Sequence, residues 1–143
     1  MFFGSYEYTI DGKGRLVIPS KFRNQVGDNL YLTKGMDGCL SICTEESFEK
    51  QLTAFKNLAF EKSKVRAYQR LFLESVVNLT IDTQGRVLIP TKTLKQYRIG
   101  SKVNILGVID RFEIWDMEAW IKYQNENEKD YEADAESILT DEN

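Results

Sequence analysis

The sequence predicts an α+β fold, mainly β, in which two copies of one small unit exchange strands into a pseudo-two-fold barrel with a helical hairpin between them. Three observations carry this prediction. Thr9-Ile10-Asp11-Gly12-Lys13-Gly14-Arg15-Leu16-Val17-Ile18-Pro19 returns 71 residues later as Thr80-Ile81-Asp82-Thr83-Gln84-Gly85-Arg86-Val87-Leu88-Ile89-Pro90, with seven of eleven positions identical. Apolar residues alternate at period two as each copy enters this stretch. Between the copies, Phe48, Leu52 and Phe55, and then Val65, Tyr68 and Phe72, follow helical spacing instead. A copy of about 45 residues buries too little surface to fold alone, so the two are expected to share one core.

Each copy opens with an alternating strand, placing Tyr6, Tyr8 and Ile10 on one face in the first and Val77, Leu79 and Ile81 in the second. A turn and an apolar strand follow. A short helix is then predicted to open at Pro19 or Pro90, whose fixed φ suits a first helical turn, and to stop near Gly27 or Gly100. Two further strands complete each unit: Asn29 to Thr33 with Cys39 to Cys43, and Lys102 to Leu106 with Arg111 to Trp115. They turn through Gly35-Met36-Asp37-Gly38 and through Gly107 to Asp110. Thr44 and Asp116 are the capping residues of the helices beyond. The central hairpin breaks around Asn57 to Glu61, and its Phe and Leu stripe is assigned to the core. Phe112, Ile114, Trp115 and Trp120 read as core or as contacts between subunits, with core preferred. These elements divide the chain into a first repeat over 5–47, a helical connector over 48–75, a second repeat over 76–119, and a terminal helix with an acidic tail over 120–143.

The 143 residues include 19 Lys and Arg against 22 Asp and Glu, a net charge of −3, and no histidine. Without an imidazole, the Ser-His-Asp and Cys-His nucleophile arrangements, the HExxH zinc site and mixed Cys/His zinc clusters are excluded. Cys39 and Cys43 in an extended strand would lie about 13 Å apart, beyond the roughly 7 Å that a disulfide spans, and read as buried thiols. No signal-like or membrane-length apolar run occurs, so the expected location is cytoplasmic. The charge is uneven. Residues 124–143 hold eight acids and one base, leaving residues 1–123 with 18 bases against 14 acids, a net of +4. Six of the tail's acids recur at every second position, from Glu126 to Glu136, which would ring a helix instead of forming a face. The tail is expected to be disordered or a loosely attached helix, and either to compete with an anionic partner or to limit self-association.

The repeated turn carries the functional signal. Gly12 becomes Thr83, whereas Gly14 and Gly85 are both glycine, which predicts positive φ at the second site only. Asp11 and Asp82 can accept hydrogen bonds from backbone N–H groups two residues on, so each turn presents Arg15 or Arg86 in a fixed direction. Lys13 adds charge to the first turn, Gln84 adds an amide to the second, and Lys21, Arg23, Lys92 and Lys95 stand in the short helices just after. A fixed arginine can bond bidentately to guanine O6 and N7 while lysines meet phosphates, a combination suited to the DNA major groove. The same residue types also permit a plainer reading, in which each Asp and Arg form an exposed ion pair that closes its own turn and adds little stability. Against that, a turn needs no arginine, yet both copies have one.

The opening Met1-Phe2-Phe3-Gly4, the two D-x-x-x-R turns with their Ile-Pro exits, and Asp110-Arg111-Phe112-Glu113-Ile114-Trp115 together resemble the MraZ family of bacterial transcriptional regulators, over about residues 1–123. The resemblance implies tandem AbrB-like swapped-hairpin domains in one chain and assembly into a homo-oligomeric ring. It also implies binding to short direct repeats in the promoter of the division and cell wall gene cluster, with repression as output and a nucleoid-associated location. Carried onto this chain, Arg15 and Arg86 become DNA contacts, joined by Lys13, Lys21, Arg23, Gln84 and Lys92, while Asp11, Asp82, Gly14 and Gly85 position the loops. Thr83-Gln84 in place of Gly12-Lys13 makes the second lobe less basic. No cofactor, metal, membrane or small-molecule substrate is expected. The rival reading is a non-enzymatic oligomeric scaffold. An enzyme is weaker still, since neither GxxxxGK[ST] nor GxGxxG occurs.

Overall fold

Strand exchange between the two copies organises the chain, whose structure, a computed structural model, describes residues 1–141. The first copy supplies β1 (Ser5–Thr9), β2 (Arg15–Val17), α1 (Ser20–Arg23), β3 (Asn29–Lys34) and β4 (Leu40–Thr44). Then come α2 (Glu45–Lys56) and α3 (Ser63–Ser75). The second copy supplies β5 (Val77–Thr80), β6 (Arg86–Leu88), α4 (Thr91–Gln96), β7 (Lys102–Val108) and β8 (Arg111–Asp116), and α5 (Met117–Glu128) and α6 (Tyr131–Asp141) follow.

Six strands form one antiparallel sheet in the order β1-β7-β8-β4-β3-β5, and β2 pairs with β6 as a separate ribbon. Each copy donates its first strand to the other: Tyr8 lies opposite Val103, and Leu79 opposite Leu30. β4 meets β8 at the centre, with Ile42 opposite Phe112. Exchanging the copies leaves the strand order unchanged, so a pseudo-dyad passes between β4 and β8. The expected barrel takes the form of a sheet and a ribbon facing each other across one core, not of a continuous hydrogen-bonded ring. Leu16 and Val87 point inward from the ribbon to meet Leu30, Leu32, Ile42, Ile105, Phe112 and Ile114, all buried. Excluding these side chains from water is the main driving force for the exchange.

The opposite face of the sheet explains why β4 is buried at four successive positions, Leu40 to Cys43. Leu40 and Ile42 face the ribbon, while Cys43 packs under Phe48 of α2 and Phe72 of α3. Tyr31 stacks on Phe48 with centroids 4.3 Å apart. The helical stripe is core at Phe48 and Phe72, with Leu52, Phe55 and Val65 half-buried, while Tyr68, expected in the core, is exposed at the outer end of the stripe. Thr44 and Asp116 cap as expected, accepting from the N–H groups of Ser47 and Ala119. Both cysteines are free and buried, and burial raises their thiols to about 12 for Cys39 and about 11 for Cys43, leaving little reactive thiolate. Phe112, Ile114 and Trp115 are buried, with Trp120 edge-on to Trp115.

Two local expectations are corrected. Pro19 and Pro90 stand at the N-caps of α1 and α4, one residue before the first helical position, because the chain reaches them extended, with ψ of 136° and 134°. Gly27 and Gly100 do not stop these helices, which end at Arg23 and Gln96. Asn24 ends the first in ordinary right-handed geometry, and Arg98, at φ 55°, supplies the left-handed residue after the second. The acidic tail is helical through α5 and α6, with the side chains of 131–140 exposed apart from half-buried Ala135, in keeping with the loosely attached helix of the two forms expected. Glu142, the last acid counted in it, lies outside the described residues.

Candidate nucleic-acid interface

Both turns fold on one carboxylate. Asp11 Oδ1 accepts from the backbone N–H groups of Lys13 and Arg15, each at 2.9 Å, and Asp82 Oδ1 accepts from those of Gln84 and Arg86 at the same distance. The second carboxylate oxygen receives the arginine side chain through Nε, at 2.6 Å for Arg15 and 3.0 Å for Arg86. Asp Oδ1 thus shapes the turn while Oδ2 aims the guanidinium. Neither Nη group is hydrogen-bonded among the described residues, so the outer fork of each arginine remains available to a ligand with two acceptors. Gly14 and Gly85 adopt φ of 92° and 75°, as the repeat comparison predicts.

The ribbon sets the direction of the two arginines. Arg15 lies opposite Leu88 and Arg86 opposite Val17, while Leu16 and Val87 face the core. Side chains alternate along a strand, so Arg15, Val17, Arg86 and Leu88 share the outer face. Leu88 is exposed, and sequence reading passed over it because an apolar residue at the end of an apolar strand looks like core. The two turns also hold each other: Gly14 O accepts from Ile89 N and Gly85 O from Ile18 N, both at 2.9 Å.

Hydrogen bonding from the Arg15 backbone is the largest influence on Asp11, and with the Arg15 side chain and the Lys13 N–H it outweighs an opposing desolvation and lowers the carboxyl from 3.8 to about 2. Asp82 is lowered by the matching bonds from Arg86 and Gln84. A depressed folded-state value contributes stability above the ordinary carboxylate range, lost as pH falls from there towards about 2 for Asp11. Both clasps therefore stay closed throughout the neutral and mildly acidic range.

Lys13, Gln84, Lys21, Lys92 and Lys95 are exposed. The exchanged topology regroups them. α4 begins two residues after Ile89, which is bonded to Gly14, and α1 begins two residues after Ile18, which is bonded to Gly85. Lys92 and Lys95 thus accompany the Asp11–Arg15 turn, and Lys21 and Arg23 the Asp82–Arg86 turn, each crossing from the other copy. Sequence order had assigned each helix to its own turn. Arg23 differs from the rest: it is half-buried, and the position a Cβ would take on Gly85 is filled by its guanidinium.

Glycine is needed at 14 on two counts, since a Cβ there would strike the carbonyl oxygen of Ile89 in a left-handed backbone. Gly14→Ala is expected to cost about 2 kcal/mol or more in thermal or urea unfolding. Gly12→Ala, with nothing within 4 Å, should be neutral or slightly stabilising. Equal losses at both positions would refute this account of the turn.

Among the described residues, no group of three or more metal-binding side chains occurs, and no helix is long and apolar enough to cross a membrane. A family model described as "MraZ protein, putative antitoxin-like" matches the chain twice, over residues 1–71 and 72–142. Curated relatives named "Transcriptional regulator MraZ" are similar along nearly the whole chain. That of Thermoanaerobacter pseudethanolicus is 41% identical over 138 residues, 96% of each chain. That of Ligilactobacillus salivarius is 39% identical over 139 residues, 97% of each, and that of Clostridium acetobutylicum 38% over 138 residues, 96% of each.

Proposed function

This chain belongs to the MraZ family, matched twice along its length, and from that premise we propose that it is a transcriptional regulator that grips double-stranded DNA through the outer face of its ribbon. One observation carries the reading. Two clasped arginines project from a two-stranded antiparallel ribbon, the kind of element the major groove admits, with their outer nitrogens uncommitted. Lys13, Lys21, Lys92 and Lys95, exposed beside the turns, meet phosphates without reading bases.

A net charge of +4 over residues 1–123 is modest for one DNA-binding unit. Assembly into a ring answers this: subunits on successive direct repeats each need only weak contact, because later contacts form at high effective concentration. Exposed Phe3, Met36, Leu71 and Ile109 offer apolar surface for such packing. The target is the promoter of the division and cell wall gene cluster, the output is repression, and the setting is the cytoplasm at the nucleoid. No cofactor takes part.

Filter binding of the full chain to duplexes with one, two or four copies of the repeat tests this. Retention should rise with repeat number and fall with salt, more steeply for the longer arrays. Absence of retention at low salt, with the oligomer intact, would favour a scaffolding protein instead.

A further inference from the structure

We propose that Arg23 serves the second turn from across the pseudo-dyad, as the phosphate contact that the second copy's own sequence does not supply. This rests on the DNA-binding reading above. Arg23 leaves α1 of the first copy and lies over Gly85, the residue before Arg86. Its Nε is buried with no hydrogen-bond partner, and no carboxylate pairs with it among the described residues. An unpaired, partly buried guanidinium is costly, and a bound phosphate would supply its missing counter-charge.

The counterpart of Arg23, four residues after Pro90 as Arg23 is after Pro19, is Leu94, buried in the core. The buried side chain of α1 is Phe22, one position earlier, so the core does not require Arg23, and the turns provide a reason for the cation. The first has Lys13 where the second has Gln84, and each turn receives two cations from the opposite copy, Lys92 and Lys95 at the first and Lys21 and Arg23 at the second; of these Arg23 is the one that is half-buried against its turn. The second lobe is then less poor in positive charge than its own residues suggest. Gly85 provides the room: a side chain there would displace the guanidinium.

The test uses the full chain and a fluorescein-labelled duplex spanning the region upstream of its own gene, with affinity measured by anisotropy across a salt series. Arg23→Leu, which installs the counterpart's residue, should weaken binding about tenfold and reduce the salt slope by about one phosphate per engaged subunit. Melting temperature and oligomer size should hold. Arg23→Lys should recover the slope, and Lys56→Ala on α2 should change neither quantity. If the wild type binds while Arg23→Leu retains its affinity and slope, or loses melting temperature with an unchanged slope, Arg23 is only structural and the proposal fails. If the wild type binds no duplex at low salt, the DNA-binding reading falls, and this proposal with it.

Discussion

Arg15→Ala is expected to weaken binding to repeat-bearing DNA by about 10-fold to 100-fold per engaged subunit while leaving the melting temperature nearly unchanged. The magnitude follows from the proposed contact: a bidentate arginine–guanine pair contributes about 1–3 kcal/mol of discrimination, and the proposed ring would multiply the deficit over its subunits. The small thermal effect follows from the site. The Arg15–Asp11 pair stands in solvent with side chains 37% and 39% exposed, and Asp11 keeps its two backbone hydrogen bonds when the guanidinium is gone. Arg86→Ala should behave alike, and the double variant should bind only non-specifically. Arg15→Lys should not restore specificity, because an ammonium has no planar fork. Anisotropy against specific and scrambled duplexes, with circular-dichroism melting alongside, checks all four. The plainer ion-pair reading predicts affinity unmoved, with melting as little changed.

How much of this arrangement was legible beforehand depends on the range of the interaction involved. The Asx turns, the positive φ at Gly14 and Gly85, the caps at Thr44 and Asp116 and the helical hairpin all rest on residues within a few positions of one another, and the two copies corroborate each other there. Placement across the pseudo-dyad was not readable locally. Lys21 and Arg23 follow the first turn in sequence but lie beside the second in space, because β2 pairs with β6 and carries each short helix to the opposite turn. The register of that pairing is settled by the shared core, and no short window of sequence contains it. The prolines erred by one residue because a helix start and the residue before it share the same proline geometry. The opening Met1-Phe2-Phe3-Gly4 marked the family without disclosing its purpose. Phe2 is buried against Phe22 and Phe112, and Gly107 lets this arm pass, since a Cβ there would meet the backbone of Phe2 and Phe3.

That aromatic cluster sets the largest stability effect. Phe22 of α1 is 1% exposed and contacts Phe2, Tyr6 and Phe112 at centroid distances of 5.2, 5.3 and 5.1 Å. The counterparts of Tyr6 and Phe22 in the second copy are Val77 and Thr93, which line an open pocket, so the pseudo-symmetric core is anchored more firmly at one end. Phe22→Ala should cost about 3–5 kcal/mol, because the surrounding strands cannot close on the cavity. For a chain of this size the melting temperature should fall by about 10–15 °C. Phe22→Leu should cost well under half as much. Phe2→Ala combined with Phe22→Ala should lose less than the sum of the singles, since the second removal gives up a contact already gone. Phe22 also seats the helix that bears Lys21 and Arg23, so DNA affinity should weaken even below the melting range, in parallel with Arg23→Leu but with a lowered melting temperature. If Phe22→Ala left melting within a degree or two of the wild type, the aromatic end would not be the anchor, and the helix would have to be held by the ribbon alone.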